Sequence, residues 1–187
     1  LRSLVGSEMC KETGSVCSAA QDNPLPVIPR PAVVERAEGQ FQLTNETVLV
    51  AGETSQHEAA HLRALLGPAT GFPLPPGDDA GNAIILRLDP SLERLGEEGY
   101  RMEVSPERVA IVAPARTGLF YGCQTLRQLL PPQIESREAV TGVPWTVPCV
   151  RLEDSPRFGW RGCMLDSARH FQDKAFVKRF IDLLAYY

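Results

Sequence analysis

Hydrophobic and polar positions alternate along this chain in short blocks with two different periods. Residues 41–50, 83–88, 100–104 and 108–113 read as strands, rich in Val, Ile and Phe and bounded by Pro, Gly, Asn and Asp. The last two face each other across Ser105, Pro106 and Glu107, which predicts a hairpin. Between the strands the period changes to that of a helix. Residues 55–66 form one helical pattern, and Thr117 is placed to cap a second that carries Leu119, Cys123, Leu126 and Leu130 on one stripe, ended by Pro131 and Pro132. Residues 72–82 read as a Pro/Gly/Asp loop and 133–148 as a connector, with 150–156 leading out of it.

The closing stretch has its own logic. Cys163, Met164 and Leu165 form a short apolar run between Arg161 and Asp166, the pattern of a strand covered on both faces. Asp173 then stands as an N-cap ahead of Phe176, Val177, Phe180, Ile181, Leu184 and Tyr187, which fall on one helical stripe. Strand followed by amphipathic helix is a βα unit, and such a unit buries its apolar faces only against parallel neighbours. A closed β/α barrel takes roughly 250 residues, so the sixteen residues after Phe171 cannot complete one.

These patterns divide the chain into a polar leader at 1–23, an α/β domain at 24–149 introduced by Pro24, Pro26, Pro29 and Pro31, and a barrel-like beginning at 150–187. The predicted fold class is α+β: a mixed or antiparallel sheet with two helices on one face, then the first βα unit of an incomplete barrel. Hydrophobic residues make up 43% of the 187, enough for a real core. The net charge of −4 and the lack of a basic stripe disfavour nucleic acid as a partner. No apolar run approaches the roughly 20 residues of a membrane span. The five cysteines give no disulfide framework: Cys123, Cys149 and Cys163 lie in apolar contexts and read as free thiols, while Cys10 and Cys17 in the leader could bridge in an oxidising compartment.

One motif invites a metal. His57-Glu58-Ala59-Ala60-His61 satisfies H-E-x-x-H, in which two histidines a turn apart bind zinc and the glutamate acts as general base. The places where an extended zinc motif carries glycine and its third histidine hold Ala64 and Gly67, and the remaining histidine is His170. Ser55 and Glu58 fit a capping box as well, which accounts for Glu58 without metal. The balance favours no metal site and no cofactor. A zinc peptidase stays as one rival reading and a non-catalytic interaction module as another. Asn45-Glu46-Thr47 fits a glycosylation sequon, relevant only to a secreted eukaryotic protein.

The run from Asp154 to Tyr187, DSPRFGWRGCMLDSARHFQDKAFVKRFIDLLAYY, resembles the opening of the catalytic barrel of glycoside hydrolase family 20, the β-N-acetylhexosaminidases. ARTGLFYGCQTLRQLL upstream resembles the closing helix of that family's small N-terminal domain, and PVIPRPAVVE its beginning. The resemblance implies a small domain that is zincin-like in shape yet metal-free. It also implies an enzyme that removes terminal β-linked N-acetylglucosamine or N-acetylgalactosamine with retention, in a secreted, periplasmic or lysosomal type of compartment. The catalytic Asp-Glu pair of the family lies on a later barrel strand, so no catalytic residue is assigned here and the 187 residues alone are expected to be inactive. By resemblance Arg161 binds hydroxyls of the terminal sugar. The rule that barrel sites collect at the carboxyl ends of strands points instead to Asp166, Arg169 and His170, which follow the apolar run and are given supporting roles. An uncovered βα unit also predicts a partner for residues 157–187, either the remaining barrel polypeptide or a second copy.

Overall fold

The computed structural model describes residues 25–79 and 81–187; the expected leader, with Cys10 and Cys17, lies outside them. Six strands form one mixed sheet: β1 (Val33–Gln42), β2 (Val48–Ala51), β3 (Ala83–Leu88), β4 (Tyr100–Val104), β5 (Arg108–Ala113) and β6 (Thr146–Asp154). Their spatial order is β1-β6-β4-β5-β3-β2. β2, β3 and β5 are parallel to one another, whereas β4 is antiparallel to β5 and β6, and β6 antiparallel to β1. β3 and the β4–β5 hairpin occupy the predicted residues, because alternation and a short polar turn are local signals.

Helices α1 (Gln56–Thr70) and α2 (Arg116–Leu129) pack on each other and on one sheet face. Leu62 and Leu66 from α1, and Leu119 and Leu126 from α2, meet Leu86, Met102, Ile111 and Leu152 of the sheet in one buried cluster. The opposite face carries a small buried cluster of Leu92, Leu95 and Val112 and, beside it, Glu153 of β6 held between Arg94 and Arg101 at 2.5 and 3.3 Å. α1 stops at Gly71, whose φ of 71° is open to glycine at little cost and lets its N–H return to the Gly67 carbonyl at 2.8 Å.

Several expectations give way. The single strand over 41–50 is two strands at opposite edges of the sheet, split by a turn in which the Thr47 hydroxyl accepts the Thr44 N–H at 2.8 Å. Ser55 occupies the N-cap position of α1 without a side-chain cap, and Glu58 turns away to Arg116, so the capping box does not form. α2 begins ahead of Thr117, from Ala115 as N-cap. The connector and its exit hold β6, a central strand that runs through position 149 to Asp154. Residues 163–165 are not a strand: Met164 is 90% exposed, because the segment has no parallel neighbour to bond to.

α3 (Lys174–Tyr186) forms as predicted, with the Phe176 N–H donating to Asp173 Oδ1 at 2.7 Å. No residue of α3 is buried. A helix of that length with little packing depends on its ends. Asp173→Ala is therefore expected to cost α3 about 1 kcal/mol, seen as faster amide exchange across 174–186 while the sheet is unchanged. Equal exchange in both proteins would mean that packing, not the cap, holds the helix.

Candidate functional site

Gly96 to Gly99 turns tightly between a 3₁₀ segment (Pro90–Leu95) and β4, and it brings Glu98 beside the first turns of α2. The approach is close because two glycines meet: a Cβ on Gly118 would lie 2.0 Å from the Gly99 carbonyl oxygen. Arg161 reaches this junction from the extended segment after β6. Its Nη2 donates to Glu98 Oε2 at 2.9 Å and to the Tyr121 hydroxyl at 3.2 Å, and its Nη1 to the Phe158 carbonyl at 2.5 Å. The bond to Glu98, with help from Tyr121, pushes the guanidinium pKa further above its ordinary value.

Arg161 lines a cavity of about 500 Å³ between the leading segment, α2, residues 154–158 and the end of α3. Its wall is mostly apolar, with a few polar groups set into it. The Asp154 carboxyl accepts the Ala32 N–H at 3.1 Å, and burial pushes its pKa up. Gln128 accepts the Ile28 N–H at 2.7 Å and donates to the Ile28 carbonyl at 3.0 Å and the Tyr186 carbonyl at 3.1 Å. The Tyr100 and Thr125 hydroxyls share a buried hydrogen bond of 2.6 Å, and burial pushes the Tyr100 pKa well up.

The other expected site residues are elsewhere. Asp166 accepts the Ala168 N–H at 2.8 Å and lies 3.8 Å from the Arg169 guanidinium, an exposed pair that orders its own loop. His170 is exposed. None of these three lines the cavity that Arg161 lines. The residues that meet Arg161 were not found in the sequence: Glu98 sits in a polar turn, and Tyr121 lies off the apolar stripe used to predict α2. The signal was available in the spacing of Tyr121, Gln124, Thr125 and Gln128, a second stripe on the same helix.

His57 and His61 lie on α1 one turn apart. Burial would push the Glu58 carboxyl up, but the Arg116 guanidinium at 3.0 Å holds it below the usual range. Burial lowers the His61 pKa, with the charges of His57 and Arg127 acting in the same direction. Its neutral ring stacks on Phe120 at 4.9 Å and accepts from the Gln124 amide at 3.2 Å. Glu58 and His61 are thus engaged within the α1–α2 interface, while His57 is exposed beside Glu58. Among the described residues, no cluster of three or more His, Cys, Asp or Glu side chains could hold a metal ion. Cys123 is buried in the same interface and pushed up to about 12, and Cys149 is also buried; both are free, as is the exposed Cys163.

The family model described as glycosyl hydrolase family 20, domain 2, matches residues 25–155. The chain belongs to glycoside hydrolase family 20. The model of the family 20 catalytic domain matches residues 158–187, so Arg161, Asp166, Arg169 and α3 all fall in that second match. A β-N-acetylhexosaminidase from Cellulomonas fimi is 38% identical over 167 residues, covering 86% of this chain and 32% of that protein. A β-hexosaminidase from Porphyromonas gingivalis is 36% identical, covering 88% and 21%. The solved structure of the family 20 β-N-acetylhexosaminidase from Streptomyces coelicolor A3(2) is similar at 41% identity with a TM-score of 0.80, over 87% of this chain and 33% of that one. The chain thus spans between a fifth and a third of the length of these relatives. Among the described residues, no helix is long and apolar enough to cross a membrane.

Proposed function

We propose that these 187 residues are the N-terminal portion of a β-N-acetylhexosaminidase: a small zincin-like α/β domain joined to the first strand and helix of a catalytic β/α barrel. The observation that carries this is the succession of the two family 20 matches, with the second covering only 158–187. The remaining barrel would cover Trp160, Met164 and Phe171, each about nine-tenths exposed here. Exposure on that scale supports a polypeptide partner for this segment.

In this reading the sugar's own 2-acetamido oxygen attacks the anomeric carbon in place of an enzyme carboxylate. An aspartate orients the acetamido group. The neighbouring glutamate protonates the leaving oxygen and afterwards activates water, a dual role that needs a raised pKa. Both lie on a later strand of the complete enzyme. What this chain contributes is an arginine for the hydroxyls of the terminal sugar, because a planar fork of donors spans adjacent hydroxyls.

Arg161 is the residue for that role. It lines the cavity of about 500 Å³ and keeps two of its five donors once Glu98, Tyr121 and the Phe158 carbonyl are met. Asp166, Arg169 and His170 would have supporting parts, with Asp166 3.8 Å from the Arg169 guanidinium on the loop that follows the 163–165 run.

The zinc peptidase alternative is disfavoured by the salt bridge that occupies Glu58 and by the amide that occupies His61. The direct test is hydrolysis of a chromogenic β-N-acetylglucosaminide. A polypeptide carrying this chain with the rest of the catalytic domain should turn it over, with no added cofactor, and the purified 187-residue chain should not. Turnover by the short chain would show that the catalytic pair has been misplaced.

A further inference from the structure

The sheet face that α1 and α2 leave bare is covered only in part. Leu92 and Leu95 close over Val112. Beside them lies a second cavity of about 490 Å³, floored by Ile85, Ala110 and Val112. Five charged side chains stand in its wall, and three of them are satisfied within the chain: Arg108 Nη1 donates to Asp79 Oδ2 at 2.8 Å, and Glu107 Oε2 accepts the Ser105 hydroxyl at 3.1 Å. The other two are Arg87 and Glu103, both exposed. Among the described residues neither side chain has a hydrogen bond or an ion pair. Arg151, the cross-strand neighbour of Glu103, turns instead to Glu35 at 4.0 Å.

The strand register sets these two lone charges symmetrically about the floor. Arg87 on β3 is level with Val112 of β5, and Glu103 on β4 is level with Ala110. β5 runs between β3 and β4, so the line from Arg87 to Glu103 crosses it midway between Ala110 and Val112. Two strand spacings across and two residues along put the charges about 12 Å apart. Consider a two-fold axis parallel to the sheet, above that midpoint and at right angles to the line. It brings a second sheet face to face with the first and sets Arg87 of each copy over Glu103 of the other.

We infer that this face docks a second copy of the chain, the two sheets facing each other with Arg87 of each copy paired to Glu103 of the other across the apolar floor. A two-fold contact requires a surface complementary to itself. Two unpartnered charges of opposite sign, on either side of an apolar centre, form such a surface. The pairing uses none of the residues that line the cavity of Arg161, and it stands independently of the reaction proposed above. Ion pairs at exposed positions contribute at most about 1 kcal/mol each, so the dimer is weak and reversible.

The test is sedimentation equilibrium on a polypeptide that carries this chain and the rest of the catalytic domain, so that the apolar side chains of 157–187 do not drive association of their own. The unsubstituted protein should pass from monomer toward dimer between about 1 and 500 µM, the range of a small interface. Arg87→Glu and Glu103→Arg should each weaken the dimer at least about 30-fold, because both contacts become like-charged. Mixed in equal amounts, the two variants should associate again to within about 3-fold of the original, since one then presents only acids and the other only bases at these positions. Should either reversal fail to fold, Arg87→Gln and Glu103→Gln take its place, and each must weaken the dimer about 5-fold. A protein that stays monomeric at every concentration, as it would if the face served an unrelated partner, overturns the inference. So does a dimer that the substitutions leave intact, or a mixture of the folded reversals that does not associate.

Discussion

Arg161→Ala, in a polypeptide that carries this chain together with the rest of the catalytic domain, is expected to lower kcat/KM toward a terminal N-acetylglucosaminide by at least about 100-fold. The argument is one of donors. A guanidinium held across two sugar hydroxyls makes charge-assisted hydrogen bonds of about 1.5–3 kcal/mol each, and losing two of them corresponds to a factor of 100 or more. Arg161 has two donors to give, since Glu98, Tyr121 and the Phe158 carbonyl take three of its five. Arg169→Ala should fall near 10-fold because its part is a supporting one. Arg161→Lys should recover little, as a single ammonium cannot span both hydroxyls. If Arg169→Ala proves the more damaging of the two and raises KM most, the sugar contact belongs to Arg169 instead.

The second large effect concerns stability. Gly118→Ala is expected to cost about 3 kcal/mol, at the upper end of overpacking, and to lower the melting temperature of the chain by about 6–12 °C. The Cβ would stand 2.0 Å from the Gly99 carbonyl oxygen and 2.8 Å from the Ala113 Cβ. The first neighbour is backbone, so no rotamer change relieves the clash. The helix would have to back away from the sheet, and the Gly118 N–H would lose its bond to the Glu97 carbonyl at 3.1 Å. Gly52→Ala is the control: its φ is −67° and nothing lies within 4 Å of the added carbon, so its change should stay within about 0.5 kcal/mol. Equal melting of the two variants would mean that the α2 approach is looser than drawn.

What was legible in the sequence was what a local signal could write. β3 and the β4–β5 hairpin needed only alternation and a turn, and Asp173 announced α3 by its spacing to Phe176. β6 was read as a connector because its partners, β1 and β4, lie far off in sequence and Pro144 and Pro148 interrupt its pattern. The division of 41–50 was missed because its ends are apolar and its turn, Thr44 to Thr47, carries no glycine or proline. Gly118 carries no signal of its own in the sequence, because the close crossing that requires it depends on Gly99, nineteen residues earlier. The strand expected at 163–165 fails for a different reason: its residues suit a strand, but the neighbours that would make it one are not among those present. At the site, Arg161 was named while Glu98 and Tyr121 were not, since a resemblance to a catalytic segment says nothing of the turn and helix that receive it. The H-E-x-x-H spacing was real on α1, yet the chemistry was taken up by Arg116 and Gln124, which only the fold brings near.

The placing of β6 has a consequence for the order in which the molecule can be made. β1 has no hydrogen-bonded neighbour until β6 arrives between it and β4, more than a hundred residues later. During synthesis the sheet therefore stays open along that seam until Asp154 has emerged, and only then does the finished face exist against which the next residues can settle. Domains fold in sequence as they leave the ribosome. Here the strand that closes the seam between β1 and β4 is the last of the sheet to be made.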